Sequence, residues 1–151
     1  SLHLNHYRSQ LGLSLSEETP FEGSIRENLI FGNNKIKDNV IFEVLDNVGL
    51  SQFLKEQPNG LDTILKPEGN QMSYTIAKKI ILARAIIKQP KIMILENPLD
   101  QFNLEETLKI ISYLTDSKRP WSLIVVSSKK SWRTKCNQVI TLEKGEIKSI
   151  N

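Results

Sequence analysis

The segment Lys91 to Glu96 constrains the fold more than any other, because it is apolar at Ile92, Met93, Ile94 and Leu95 and follows directly on Pro90. A run this short and this apolar reads as a continuously buried strand, the kind found in parallel sheets. Such a strand needs helices layered against it, and the flanking residues supply them. Upstream, Ser73 is a good N-cap, and the residues after it place Ile76, Ile80, Ala83 and Ile87 on one helical face before the pattern stops ahead of Pro90. Downstream, Asn103 and Glu106 cap another helix, with Leu104, Leu108, Ile111 and Leu114 expected inward.

The rest of the chain repeats the alternation. Leu11 to Leu15 is a short strand candidate, and Ser24-Ile25-Arg26-Glu27 is a capping box that opens a helix. From about Asp38, Val40, Ile41, Val44, Leu45 and Val48 recur at helical spacing, and Gly49 stands where a left-handed C-terminal cap is wanted. Pro58-Asn59-Gly60 is a turn. Ser122 to Ser127 is a β-branched strand, and Gln138 to Leu142, a turn at Lys144-Gly145, and Glu146 to Ile150 make a hairpin. Helices alternating with buried strands predict an α/β sheet domain.

Composition excludes several function classes. With 151 residues, 39% of them apolar and 25% charged, the chain is one globular domain rather than a disordered or collagen-like one. Twenty Lys and Arg stand against 17 Asp and Glu, a net charge of +3 that is too mild and too mixed to argue for nucleic acid. The basic residues Lys129, Lys130, Arg133 and Lys135 beside Trp132 read as a solvated face. No run of residues is long and apolar enough to span a bilayer, and no signal peptide is visible. The single cysteine, Cys136, rules out an internal disulfide framework and a cysteine-cluster metal site, and fits a reducing compartment. The start at Ser1-Leu2, without Met, is compatible with an excised piece of a longer protein.

Two counts bear on chemistry. The only histidines, His3 and His6, lie at the N-terminus, so the body of the chain has no imidazole to offer catalysis. The seven glycines are Gly12, Gly23, Gly32, Gly49, Gly60, Gly69 and Gly145; none precedes Lys and no two are five apart, so a phosphate-binding G-x-x-x-x-G-K-[ST] loop is absent from these residues.

Several segments, in order, resemble the ATP-binding domain of ABC transporters, particularly the exporter type. Tyr7-Arg8-Ser9-Gln10-Leu11-Gly12 is similar to the LR-x-x-IG stretch before the Q-loop, and Phe21-Glu22-Gly23-Ser24-Ile25-Arg26-Glu27-Asn28-Leu29 to F-x-G-T-I-x-E-N-I. Pro58-Asn59-Gly60-Leu61-Asp62-Thr63 is similar to the P-x-G-x-x-T ahead of the signature loop, and Gly69 to Ala85 aligns without gaps to G-x-x-LSGGQ-x-QR-x-x-x-ARA. Ile92 to Pro98 resembles the Walker B strand, Ser122 to Ser128 the strand leading to the H-loop, and Lys144-Gly145-Glu146-Ile147 the closing hairpin. The resemblance runs over essentially the whole chain. It implies a P-loop NTPase-like sheet with a helical subdomain at about 24–88 and a Walker B to C-terminal hairpin portion at about 90–151. The Walker A strand and helix of such a domain would lie upstream of Ser1.

Carried over position by position, the resemblance implies a loss of chemistry. The Q-loop Gln falls on Ser16, too short to reach a metal and an attacking water. The signature LSGGQ falls on Met72-Ser73-Tyr74-Thr75-Ile76: Ser73, Tyr74 and Thr75 take its nucleotide-binding positions, with Ser73 the remnant, Tyr74 and Thr75 adding bulk where backbone should approach phosphate, and Ser73 equally an ordinary N-cap. The Walker B Asp falls on Glu96, a candidate Mg²⁺ ligand one methylene too long, and the carboxylate after it on Asn97, an amide that cannot accept a proton. The D-loop Asp falls on Asn103 and the switch His on Ser128.

The resemblance therefore implies a degenerate, hydrolysis-deficient ATP-binding domain fragment, a structural or regulatory half of a nucleotide-binding pair. Its implied partners are a transmembrane domain, against the region Ser16 to Asn28, and a second nucleotide-binding domain; its implied place is the cytoplasmic face of the membrane. The chain alone is expected to hold no cofactor, with ATP and Mg²⁺ belonging to a longer parent. Two alternatives stay open, a scaffold or binding module on the same fold and a divergent but active ATPase in the parent. Because the Walker A strand would sit between Ser122–Ser127 and Gln138–Leu142, those strands are expected to carry unpaired edges. Leu123, Val125, Val139 and Ile140 would then be short of neighbours, and the chain would self-associate or repack.

Overall fold

A computed structural model describes residues 4–66 and 72–151, so the first part of the aligned signature segment, Gly69 to Gln71, lies outside the described residues. The elements run α1 (Leu4–Ser9), β1 (Leu11–Ser14), β2 (Gly23–Ser24), α2 (Ile25–Ile30), α3 (Asp38–Asn47), α4 (Ser51–Lys55), β3 (Ile64–Leu65), α5 (Tyr74–Ile87), β4 (Ile92–Glu96), α6 (Leu104–Leu114), β5 (Ser122–Val126), β6 (Ile140–Glu143) and β7 (Glu146–Ile150). The apolar run after Pro90 is β4, and it is the central strand of a parallel sheet ordered β1-β4-β5. This is a mixed α/β domain, as the alternation of helix and strand predicts.

The local signals act as the spacing implies. Ser24 caps α2 with a complete capping box: its hydroxyl accepts from Glu27 N, and the Glu27 carboxylate accepts in turn from Ser24 N at 2.7 Å. Gly49, just past α3, has φ +76°, a conformation that a residue without Cβ adopts freely. Ser73 caps α5 and Asn103 caps α6 through the N–H groups of Ile76 and Glu106. Gly12 in β1 serves a close approach, since a Cβ there would stand 2.7 Å from Pro90 Cγ and 3.1 Å from the Ala85 carbonyl oxygen.

Three expectations are corrected. Beyond its partly exposed first turn, helix α5 is buried on more than one face, because α2, α3 and β1 all pack on it; Ile80, Ile81, Leu82 and Ala83 are all fully inside. Strand β4 alternates: Met93 and Leu95 are buried, whereas Ile92 and Ile94 are half-buried, because the other side of the sheet is open along Leu13, Ile94 and Ile124. Helix α6 is rotated from its expected setting, with Thr107, Ile110, Ile111 and Leu114 inward and Leu104 and Leu108 exposed at 67% and 50%. Leu108 sits roughly 110° around the axis from the middle of the buried stripe. Polar Thr107 is tolerated inside because its hydroxyl lies 3.4 Å from Lys129 Nζ.

Strands β6 and β7 form a separate two-stranded sheet, closed by Lys144-Gly145 with both φ angles positive and extended by paired backbone bonds between Val139 and Asn151. Among the described residues β5 pairs only with β4, so its outer edge carries no ladder; Leu123, Val125 and Val139 are half-buried and Ile140 is exposed.

Candidate functional site

Strands β1, β4 and β5 are parallel, so their carboxyl ends meet at one rim, the place where open α/β sheets bind ligands. Ser16 follows β1, Glu96 closes β4 with Asn97 behind it, and Ser128 stands just past β5. The first turns of α5 lie against the same rim, because Lys78 reaches Ser16 and Tyr74 reaches Asp100 in the segment after β4. The sequence-predicted positions Ser16, Ser73, Tyr74, Thr75, Glu96, Asn97 and Ser128 thus border one region.

Most of these positions bond within the protein. Glu96 Oε2 accepts from Ser16 N at 3.2 Å. Lys78, only 3% exposed, donates from Nζ to the carbonyls of Leu15, at 3.3 Å, and of Ser16. Ser73 spends its hydroxyl on Ile76 N at 3.3 Å and stands 3.1 Å from Thr75 Oγ1. Tyr74 donates to the Asp100 carboxylate, 3.3 Å from each oxygen, and burial together with that neighbouring charge pushes its phenol above the ordinary value. The Lys78 ammonium lies 5.5 Å from the centroid of the Tyr74 ring. Asn97 has φ +43°, which asparagine tolerates better than most residues, and its N–H donates to the Val126 carbonyl at 2.8 Å. Ser128 is exposed.

The loop between β1 and β2 is held at its far end as well. Asn28 grips the Phe21 peptide on both sides, Oδ1 accepting from Phe21 N at 2.9 Å and Nδ2 donating to Phe21 O at 3.0 Å. Arg84 fixes Asn28 in turn, through bonds of 2.6 Å to its carbonyl and 3.0 Å to Oδ1, and packs its guanidinium 5.4 Å from the Phe21 ring centroid. Burial lowers the Arg84 pKa, against the opposing charge of Glu18.

Sequence reasoning did not single out Lys78, Lys79, Arg84 or Asp100. The available signal was a pair of adjacent lysines inside an apolar helix, where a charge survives only with partners. Lys79, likewise buried, lies 2.5 Å from Glu106 Oε1 and 3.2 Å from the Gly49 carbonyl, so it ties α5 to the first turn of α6. The solvated basic face expected around Lys129 to Lys135 is corrected in part: Lys129 turns inward to the Phe102 carbonyl at 3.1 Å, and Trp132 is buried.

The donors available do not fit a Mg²⁺ site. Among the described residues no group of three His, Cys, Asp or Glu side chains could hold a metal ion. Glu96 is a single carboxylate already accepting an N–H, and Asp100 already accepts from Tyr74. Asn97 supplies no base.

No family model matches the chain. Curated relatives include ABC transporter B family member 18 of Arabidopsis thaliana, 28% identical over 149 residues, covering 97% of this chain and 12% of that protein. The ABC multidrug transporter mdr1 of Aspergillus fumigatus is 25% identical over 148 residues, 97% of this chain and 11% of its own length. The ATP-dependent permease MDL1 of Candida albicans is 41% identical over 96 residues, 63% of this chain and 14% of that permease. Among solved structures, a bacterial Atm1-family ABC exporter with ATP bound superposes with a TM-score of 0.84 at 17% identity, covering 97% of this chain and 26% of that one. The chain is therefore similar, over nearly its whole length, to one stretch of ABC exporters several times longer, and it has the fold of that stretch.

Proposed function

We propose that this chain corresponds to the later two-thirds of an ABC exporter-type ATP-binding domain in which hydrolysis has been lost, serving as a structural or regulatory half of a nucleotide-binding pair. The helical subdomain would be 24–88 and the Walker B to hairpin portion 90–151. The observation that carries the reading is the end of β4, where Glu96 is bonded to the Ser16 amide and the next residue is Asn97. A water attacking a phosphoryl group needs an oriented acceptor and a stabilised developing charge. Here the acceptor position holds an amide, the Q-loop position a short hydroxyl in Ser16, and the switch position a serine, Ser128. Tyr74 and Thr75 add side chains where a phosphate would meet bare backbone.

The partners in this reading are a transmembrane domain resting on the loop that Lys78 and Arg84 hold, between Ser16 and Asn28, and a second nucleotide-binding domain opposite Ser73. ATP and Mg²⁺ would belong to the longer parent, at the cytoplasmic face of its membrane. Among the described residues no helix is long and apolar enough to cross a membrane.

The test is phosphate release from the longer parent carrying Asn97→Glu. Groups that act as a unit do not recover singly, so release should stay at background. A rise of about tenfold or more, roughly 1.4 kcal/mol off the barrier, would show that the other substitutions matter little and that the domain is a divergent ATPase.

A further inference from the structure

The acceptor groups around Ser16 are the Glu96 carboxylate and the carbonyls of Leu15 and Ser16. Each group already accepts a bond from within the protein. Ser16 N donates to Glu96 Oε2 at 3.2 Å, and the Lys78 ammonium donates to both carbonyls. One residue, Ser16, is thus gripped on its two polar sides by opposite charges, an anion on its amide and a cation on its carbonyl. Lys78 is inside the protein, where salt screens interactions less than at the surface. Two of its three N–H donors serve the carbonyls of Leu15 and Ser16.

We infer that Lys78 is a resident cation for this rim, and that Lys78 and Glu96 together clamp the Ser16 peptide, leaving Glu96 an anchor for the loop after β1 and not a ligand for a divalent ion. A divalent ion using these carbonyls would have to displace the Lys78 ammonium, and one held by Glu96 would share that carboxylate with the Ser16 amide. Either would gather on the order of six oxygens beside a buried positive charge. Asp100, in the segment after β4, accepts from Tyr74. The clamp also sets the loop: with Asn28 and Arg84 holding Phe21, both ends of the loop are fixed from one helix, by cations six residues apart on α5. The inference goes beyond the functional reading and is independent of it, since no nucleotide enters its test.

The experiment is amide NMR on this chain, titrated with Mn²⁺ alone and followed by hydrogen exchange. In the wild type, Mn²⁺ up to the order of 1 mM should give no selective broadening of the Ser16 and Asn97 amides. Selective broadening there, abolished by Glu96→Gln, would overturn the inference. Lys78→Met keeps the buried stem and removes the charge. It should raise exchange at the Ser16 amide by about tenfold or more, with the amides of Ile80 to Ala85 unchanged. Unchanged protection of Ser16 in a folded Lys78→Met variant would equally overturn it. If that variant does not fold, the wild-type Mn²⁺ titration decides alone.

Discussion

The packing around α5 and the rim at the ends of β1, β4 and β5 share a helix but treat their polar groups differently. Around α5 the helix caps follow local rules, although Lys79 to Glu106 and Arg84 to Asn28 join distant segments. Ser24 and Glu27 cap each other within one turn, Asn103 and Glu106 do the same, and Gly49 takes the left-handed turn after α3. At the rim the contacts cross long stretches of chain: Ser16 to Glu96, Lys78 to Ser16 and Tyr74 to Asp100. In the first region the sequence obeys what any α/β sheet of this shape demands. In the second, side chains that could have faced a ligand are bonded to the protein itself. A fold does not by itself fix the chemistry of its site: the caps and packing keep what the α/β sheet requires, while the rim's polar groups bond within the protein.

The largest effect that would break this comparison is in the packing. Leu82 is fully buried at the centre of α5, so Leu82→Ala should cost about 2–5 kcal/mol, whereas exposed Ser128→Ala at the rim should stay within about 0.5 kcal/mol. Urea denaturation of the two variants checks both. Equal losses would mean that the rim is as structural as the core.

Much of the packing was legible in the sequence. The capping box at Ser24, the caps at Ser73 and Asn103, the turn at Gly49 and the strand after Pro90 all depend on residues within a few positions of each other, so spacing alone predicts them. What sequence periodicity missed depends on neighbours far along the chain. The burial of α5 on more than one face needs α2, α3 and β1 packed on it, and the rotation of α6 is tied to Lys129 reaching Thr107 from 22 residues away. The positions aligned to nucleotide-binding motifs lie around the ends of β1, β4 and β5 and the start of α5. Their contacts were not legible, because a lysine's long stem can reach many carbonyls, and the bond from Lys78 to Ser16 spans 62 residues.

A smaller effect sharpens the same contrast at the edge of the packing. The Ser24 backbone N–H first, and its hydroxyl second, donate to the Glu27 carboxylate and hold it below its usual pKa. A carboxyl depressed in the folded state contributes stability that is complete above its ordinary pKa and is lost as pH falls through the depressed folded value. Glu27→Gln should therefore flatten the acid side of the stability–pH curve and leave the neutral-to-alkaline side parallel to wild type, as followed by thermal unfolding between pH 2 and 8. An acid limb as steep as that of the wild type would remove Glu27 from the account.

The central claim is that the fold is kept while its polar rim is closed to nucleotide. Isothermal titration of Mg-ATP into this chain tests it most directly. With Glu96 and Lys78 bonded to Ser16, and Ser73 spent on its own helix, the account predicts heats indistinguishable from dilution. Binding in the micromolar range, about −8 kcal/mol, that competes with a non-hydrolysable analogue would contradict it.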